Sequence, residues 1–461
     1  MTPTPVIAVF DVGKTNKKLF LFNEDYKIVY EKSARFNETT DEDGDPCENI
    51  DSLRLSVFDS LREIIRRPEF DIKAVNFSSY GASFVYLDED GAPLTPLYNY
   101  LKAFPDDLHR QFYSTYGGEA TVARQTASPV LGNLNSGMQL YRLKFQKPDI
   151  FNRIKYALHL PQYLSYLISG QAFTDLTSIG CHTSLWDFEK NDYHDWVKKE
   201  GLAEKLAPVR NADEVLPAEF PGNNYSVGIG LHDSSAALIP YLVSFTEPFV
   251  LLSTGTWTIT LNPFDDSPLT DEELKNDCLK FIQYKGQPVK ASRLFAGYEY
   301  EQQVKRIAAH FNQNIAYYRT IRYDADLTTQ LLAKETTKIS GATSLKASVF
   351  GQRNLSEFAN DIEAYHRLML DIVDQQKIST GYVLKDGTVK RIFVDGGFSK
   401  NSVYMHMLAN AFPTVEVFAA SMAQATAVGA ALAIHHAWNT KPLPHDLLEL
   451  KYYSATHTLT T

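Results

Sequence analysis

The chain has few cysteines, no concentrated run of positive charge and no long apolar stretch, and each shortage removes a class of function. Its three cysteines, Cys47, Cys181 and Cys278, are scattered through 461 residues without a CxxC or mixed Cys/His cluster. No zinc knot or disulfide framework is indicated, and a reducing cytoplasm is the expected compartment. The 12 histidines show no HxxxH or HExxH spacing. Lys and Arg number 45 against 55 Asp and Glu, a net charge of −10 with no basic block, which argues against nucleic acid and anionic membrane as partners. No stretch approaches the roughly 20 apolar residues of a membrane span. The opening MTPTPVIAVFDVG lacks a basic segment followed by an apolar one, so the chain reads as soluble and unprocessed.

What is present describes a folded protein with a large core: 44% of residues are hydrophobic and 22% charged. The length predicts about two domains with a cleft between them. The apolar run Val6 to Phe10 breaks at Asp11-Val12-Gly13 and resumes at Leu19 to Phe22. The same strand-turn-strand pattern recurs at Phe249 to Leu252, Ser253 to Trp257 and Thr258 to Leu261, which predicts a duplicated domain. Between these units Asp51 is placed to cap a helix with Leu53, Val57, Leu61, Ile64 and Ile65 on one face. Further on, a strand at Arg391 to Val394 leads to a helix capped by Ser399 or Asn401, then a strand at Thr414 to Phe418 and an Ala-rich helix over Ser421 to Trp438. Strands alternate with helices in both halves, so the expected class is α/β, helices covering mixed sheets. The stretch Pro221 to Tyr225 predicts a boundary that divides the chain into 1–225 and 226–461.

Four segments carry candidate chemistry. The turn Asp11 to Lys18 sets a carboxylate at a strand end, followed by Gly13, Thr15, Asn16 and three lysines. Such a turn can aim backbone N–H groups at a phosphate while Asp11 holds Mg²⁺, and it equally fits a solvated hairpin. It is no Walker A loop. In Val227 to Ala236 a strand runs into His232-Asp233 and small residues that can open a helix. Asp233 is then either a helix cap or a carboxylate at the carboxyl end of a strand, where ligands of α/β sheets bind. Ser253-Thr254-Gly255-Thr256-Trp257 offers a second phosphate turn or a plain hairpin. Asp395-Gly396-Gly397 would allow a flat nucleoside or a phosphate to approach the backbone where strand becomes helix. Tyr80, Phe84, Tyr86, Tyr98 and Tyr100 cluster around Gly81, as in sugar sites and cores alike.

In this order the segments resemble the FGGY carbohydrate kinases, of the sugar kinase, Hsp70 and actin superfamily, over nearly the whole chain. His232-Asp-Ser-Ser-Ala-Ala237 followed by Ser253-Thr-Gly-Thr-Trp257 is similar to the rhamnulokinase form "HDTASA…SSGTW". Ser78 to Ser83 with Tyr86 to Gly91, Thr174 to Thr177, Val394 to Asn401 and Ala425 to Ala431 resemble further family segments. The resemblance implies two actin-like, ribonuclease H-like domains: an N-terminal sugar-binding domain, 1–225, and a C-terminal ATP-binding domain, 226–461. It implies ATP and Mg²⁺ as cofactors and a small-molecule sugar as partner, and leaves a homodimer open. Gly13, Thr15, Asn16, Lys18, Thr254, Gly255 and Thr256 would meet the phosphates, Gly396, Gly397 and Asn401 the nucleoside, and Asp11 the magnesium. Ser79, Tyr80, Gly81, Ser83, His232 and Asp233 would face the sugar, with Asp233 the general base that takes a hydroxyl proton as the γ-phosphoryl group is transferred.

Departures from the family bear on the acceptor, expected to be a ketose or deoxyketose such as rhamnulose, fuculose or xylulose. Lys14 stands where Thr or Ala is usual and Lys18 where Arg is usual. The Asp and Arg of the Trp-x-Asp-x-Arg segment are absent from Leu97 to Lys102, Ser83 replaces a carboxylate, and Gln424 replaces a common Glu. A weakly catalytic sugar-binding or regulatory protein on the same fold, and an actin-like polymerising ATPase, are the alternatives.

Overall fold

The computed structural model describes residues 2–14, 16–35, 38–334, 345, 347–384, 387–422 and 424–455. Among these, the architecture is two seven-stranded sheets, each flanked by helices. The first contains β1 (Thr4–Val12), β2 (Lys17–Asn23), β3 (Ile28–Ala34), β4 (Phe70–Ser79), β5 (Val215–Pro217), β6 (Ser226–Gly228) and β7 (Leu231–His232), in the order β5-β6-β4-β1-β2-β3 with β7 paired to β4. The second contains β8 (Phe249–Thr254), β9 (Thr258–Asn262), β10 (Cys278–Ile282), β11 (Pro288–Leu294), β12 (Arg391–Gly396), β13 (Glu416–Ser421) and β14 (Glu449–Tyr453), in the order β10-β11-β9-β8-β12-β13-β14.

The duplication predicted from the two strand-turn-strand units is present. In the first sheet β1 runs antiparallel to β2 and parallel to β4, and in the second β8 runs antiparallel to β9 and parallel to β12. The central strand β1 is buried from Val6 to Phe10 because helices cover both faces of its sheet, which is why its sequence is a continuous apolar run and not an alternating one.

Some boundaries differ from expectation. The helix Ile50–Ile65 is capped by Asn49, whose side chain accepts from the Ser52 N–H, and not by Asp51. Ile65 is exposed, so the buried stripe ends at Ile64. The helix expected over Ser421 to Trp438 is shorter, Ala425–Ala433, because Ser421 ends β13 and Gln424 takes a left-handed conformation with φ 60°. Sheet membership changes after His232, beyond the expected 225/226 boundary, and we propose the helix Asp233–Ser244 as the joint. That helix packs tightly on Ala425–Ala433. A Cβ on Gly429 would lie 1.9 Å from the Ala236 carbonyl oxygen, so glycine permits the close crossing.

Candidate active site

The first half of the site follows from strand register. Asp11 lies beside Ser78 and Val12 beside Ser79 across β1 and β4, while Leu231 lies beside Ser78 and His232 beside Ser79 across β7 and β4. Three parallel strands therefore end together, and Asp11, Ser79, His232 and Asp233 share one edge of the sheet, at the carboxyl ends of its strands. Gly81 lies against the His232 ring, which a Cβ there would meet at 2.9 Å.

Asp233 is the first residue of its helix, and His232, one place earlier, is the cap residue without a side-chain capping bond. The Asp233 Oδ1 atom accepts from Ser234 N at 2.6 Å and Ser234 Oγ at 3.3 Å, a contact with the next residue, whereas a capping side chain reaches the amides two or three residues further on. His232 Nε2 stands 3.2 Å from the same oxygen. Burial pushes the His232 ring down to about 3, so the imidazole is neutral, and the hydrogen-bond contact of its Nε2 is with Cys181 Sγ at 3.2 Å. Asp233 sits deep in the site but keeps 33% of its side-chain surface open, enough to meet a ligand. Burial pushes its carboxyl up to about 6 against the opposing Ser234 bonds.

Asp11 is also pushed up to about 6, first by burial and further by the negative charge of Asp233, while the Thr426 hydroxyl and Lys18 oppose the shift. Thr426 Oγ1 donates to Asp11 Oδ2 at 2.9 Å. Lys18 is the cross-strand neighbour of Asp11 but gives its ammonium to Glu31 at 3.0 Å. The turn closes when Gly13 N donates to the Asn16 carbonyl at 2.9 Å. Thr15 lies outside the described residues.

Of the five aromatic residues grouped by sequence, Phe84, Tyr86 and Tyr98 belong to one core cluster and Tyr80 to another, against which Tyr100 packs half-buried. Tyr80 and Tyr100 form a pair with ring centroids 6.0 Å apart. Burial raises the Tyr100 hydroxyl, followed by the charges of Asp233 and Glu48. Ser79 Oγ donates to the Tyr80 carbonyl at 3.3 Å, and Ser83 is buried, with its carbonyl accepting from Leu160 N. In the segment Leu97 to Lys102, Asn99 accepts from Leu101 N at 3.0 Å. Lys102 is held by Asp41, Asp43 and Asp45 at 2.6, 2.7 and 2.9 Å.

The second half of the site is built on β8 and β12. Gly255 N donates to the Trp257 carbonyl at 2.9 Å and Gly397 N to the Thr254 carbonyl at 2.9 Å. The Thr254 hydroxyl donates to the Asp395 carbonyl and accepts from Phe398 N at 3.0 Å. Asn401 caps the following helix through Tyr404 N at 3.1 Å and donates to the Tyr365 hydroxyl at 2.8 Å. Thr254 and Asn401 thus hold the turns in shape, and Gly255, Thr256, Gly396 and Gly397 form the exposed backbone face. Tyr241, which the sequence did not single out, donates to Asp395 Oδ2 at 3.1 Å.

Glu48 was missed as well. It is buried, bridges to Leu97, and binds Lys17 Nζ at 2.9 Å. Its only local sequence signal is an acidic residue after Cys47, which no spacing rule selects. Thr426 was legible only as part of the Ala425 to Ala431 segment, since its partner is 415 residues away.

Asp11 is an oxygen donor with one hydroxyl partner, a second carboxylate nearby and little opposing charge, which fits a hard divalent cation. Among the described residues there is no group of three or more His, Cys, Asp or Glu side chains that could hold a metal ion. A magnesium site made of one carboxylate plus substrate phosphates is compatible with that. Among the same residues, no helix is long and apolar enough to cross a membrane.

Comparison with known proteins bears on the family and the fold. The FGGY family of carbohydrate kinases, N-terminal domain, matches residues 6–237, and the carbohydrate kinase FGGY, C-terminal domain, matches residues 246–442. A rhamnulokinase of Halalkalibacterium halodurans is 25% identical over 262 residues, 54% of each chain. One from Mannheimia succiniciproducens is 24% identical over 287 residues, 58% of this chain and 55% of the other. The chain thus spans about half the length of the curated relatives it matches. A carbohydrate kinase from Novosphingobium aromaticivorans superimposes with a TM-score of 0.78 at 23% identity, covering 97% of this chain and 96% of the other. A xylulose kinase from Lactobacillus acidophilus does so with a TM-score of 0.76 at 16% identity, covering 98% and 94%. The likeness in structure carries the actin-like two-domain fold, and the domain matches carry the family: the chain belongs to the FGGY family of carbohydrate kinases.

Proposed function

We propose that the protein phosphorylates a hydroxyl of a small sugar, a ketose or deoxyketose, with ATP as donor and Asp233 as general base. The observation that carries the reading is the state of Asp233: a carboxylate fixed at a strand end, open to a ligand, with its carboxyl pushed up to about 6. A base near that value is ionised at neutral pH yet retains affinity for a proton, which is what deprotonation of an alcohol during phosphoryl transfer requires.

In this reading the acceptor lies between Tyr80, Tyr100 and Asp233, and its hydroxyl donates to the Asp233 carboxylate. His232, neutral and with Nε2 3.2 Å from the same carboxylate, walls it on one side. The triphosphate approaches the exposed backbone of Gly255 and Thr256, with Gly13, Asn16 and Lys18 on the opposite turn, and the nucleoside lies over Gly396 and Gly397. Magnesium, held through Asp11, would neutralise charge on the β- and γ-phosphates. Closure of the two halves would bring the hydroxyl in line with the γ-phosphate and exclude water. The buried, unpaired Cys47, Cys181 and Cys278 support a reducing compartment, the cytoplasm.

A second reading, a sugar-binding or regulatory protein with little catalysis, rests on the segment Leu97 to Lys102, where Asn99 and Lys102 are both engaged within the protein. ADP release measured with ketoses, deoxyketoses and polyols separates the two readings. Turnover by the wild type that collapses in Asp233→Asn supports catalysis. Sugar binding without phosphate transfer supports the second, and undiminished turnover by Asp233→Asn removes the base.

A further inference from the structure

Around Glu48 the structure gathers more charge than its own packing requires. Glu48 is buried and bridge-paired to Leu97, so it is seated against the segment whose own polar side chains are engaged elsewhere. Lys17 Nζ contacts both of its oxygens, at 2.9 and 3.2 Å. That set would suffice to tie the first hairpin to the loop before the helix Ile50–Ile65. A second ammonium is nevertheless present: Lys14 Nζ stands 3.6 Å from Glu48 Oε1.

The two lysines differ in access. The Lys17 side chain is 7% exposed and that of Lys14 26%, so Lys17 is the internal counter-ion and Lys14 is the one a ligand can reach. Lys14 Nζ lies 5.9 Å from the ring centroid of Tyr80 and 5.9 Å from that of Tyr100. The Tyr100 hydroxyl in turn feels both Asp233 and Glu48. Ser79 pairs with His232 in the first sheet, so Tyr80 and Asp233, the residues that follow them, leave the same sheet edge, and Lys14 stands beside both rings and Glu48.

We infer that Glu48 and Lys14 read the hydroxyl groups of the acceptor and that the acceptor is uncharged; this rests on the proposed sugar-kinase reading of the same site. A carboxylate accepts from vicinal hydroxyls and an ammonium donates to them, while aromatic rings cover the C–H face of a polyol. Charge decides against a sugar acid. Lys14 and Lys17 are balanced by Glu48 and by Glu38, 3.9 Å from Lys14, before Asp233 is counted. A substrate carboxylate would find Lys14 shared and two carboxylates facing it, an unfavourable juxtaposition in a partly desolvated site.

The test uses the full chain with neutral ketoses, deoxyketoses and polyols, and with gluconate as the anionic probe. ADP release gives kcat and KM, and titration calorimetry gives sugar Kd, for wild type, Glu48→Gln and Lys14→Met. The second variant leaves the buried Lys17–Glu48 pair in place, so it remains informative if Glu48→Gln folds poorly. Expected is a rise of about tenfold or more in KM and Kd for the best neutral sugar in both variants, with kcat reduced less than about threefold. Sugar affinities within about twofold of wild type in Lys14→Met and in folded Glu48→Gln, or a preference for gluconate, overturn the inference while leaving the kinase reading standing. Wild-type sugar binding without ADP release removes the kinase reading, and the Kd values of the variants then decide the inference alone. Absence of binding by every sugar overturns both.

Discussion

The Thr426 hydroxyl donates to the Asp11 carboxylate at 2.9 Å, joining the first turn of the last core helix to the end of the first strand. Helix Ala425–Ala433 presents its N-terminus there, so its free amides and dipole add to the field that keeps Asp11 ionised. Removing the donor leaves burial and the Asp233 charge less opposed. Thr426→Val is expected to raise the Asp11 carboxyl above its present value of about 6 and to raise the Mg²⁺ concentration for half-maximal rate about three- to tenfold at pH 6.5. At pH 8, where Asp11 is ionised either way, the gap should narrow. ADP release against Mg²⁺ at both pH values checks this; equal Mg²⁺ dependence at both would exclude the role.

Asp233 joins activity to stability with opposite signs. Its carboxyl is raised to about 6 by burial, so the base is lost as pH falls through about 6, and kcat/KM should drop about tenfold per pH unit below that. For stability, the native state binds the proton more tightly than the unfolded chain between the ordinary value, 3.8, and about 6. Stability contributed by this group is therefore present at low pH and lost as pH rises through that window. Asp233→Asn removes the buried charge. It should lower kcat by about 10²–10⁴-fold yet melt at or above the wild-type temperature at pH 7, an advantage that disappears near pH 3. Thermal denaturation at both pH values, beside initial rates, measures the two effects.

Local sequence carried the strands, the turns and the position of Asp233 because each depends on neighbours in the chain. Asp11 and Asp233 stand at strand ends that the apolar runs mark, and Gly396-Gly397 stands where a strand hands over to a helix. Glu48 and Tyr241 were not legible, and Thr426 only as part of its segment, since each acts through a partner distant in sequence: Leu97 and Lys17, Asp395, and Asp11. Thr254 and Asn401 were legible as site residues, but their side chains prove to be occupied in holding the turns. Sequence marks the turn; only register and packing decide which of its atoms remain available.

Gly396 and Gly397 should respond differently to the same substitution. Gly396 has φ 88°, and a Cβ there would lie 1.9 Å from the Thr254 carbonyl oxygen. Gly397 has φ −63° and ψ −45°, with the nearest such contact at 4.0 Å. Gly396→Ala is expected to cost about 2–3 kcal/mol in urea unfolding, whereas Gly397→Ala should be neutral or stabilising by up to about 1 kcal/mol. Because Gly397→Ala leaves the fold intact, a loss of ATP affinity in that variant measures how closely the nucleoside approaches the backbone. Unchanged affinity would move the nucleoside off this turn.

Lys102 and the three aspartates around it supply a stability prediction whose size depends on pH. The Lys102 and Asp41 side chains are 9% and 1% exposed, while Asp43 and Asp45 are about half exposed, so the Lys102–Asp41 pair dominates. Burial raises the Asp41 carboxyl, but Lys102 and the amides of Asp45 and Asp43 overcome it and hold the group below its ordinary value. A depressed carboxyl contributes stability that is present above about pH 4 and lost as pH falls through the folded value. Lys102→Met leaves a buried carboxylate without its cation, at a cost of about 3–5 kcal/mol near pH 7. As pH falls, Asp41 in the variant takes up a proton earlier than in wild type, so the deficit should shrink below about pH 4. Urea unfolding of both proteins at pH 7 and pH 3.5 tests the argument: a deficit independent of pH would mean that the loss comes from the packing of the Lys102 stem and not from the charge it brings to Asp41.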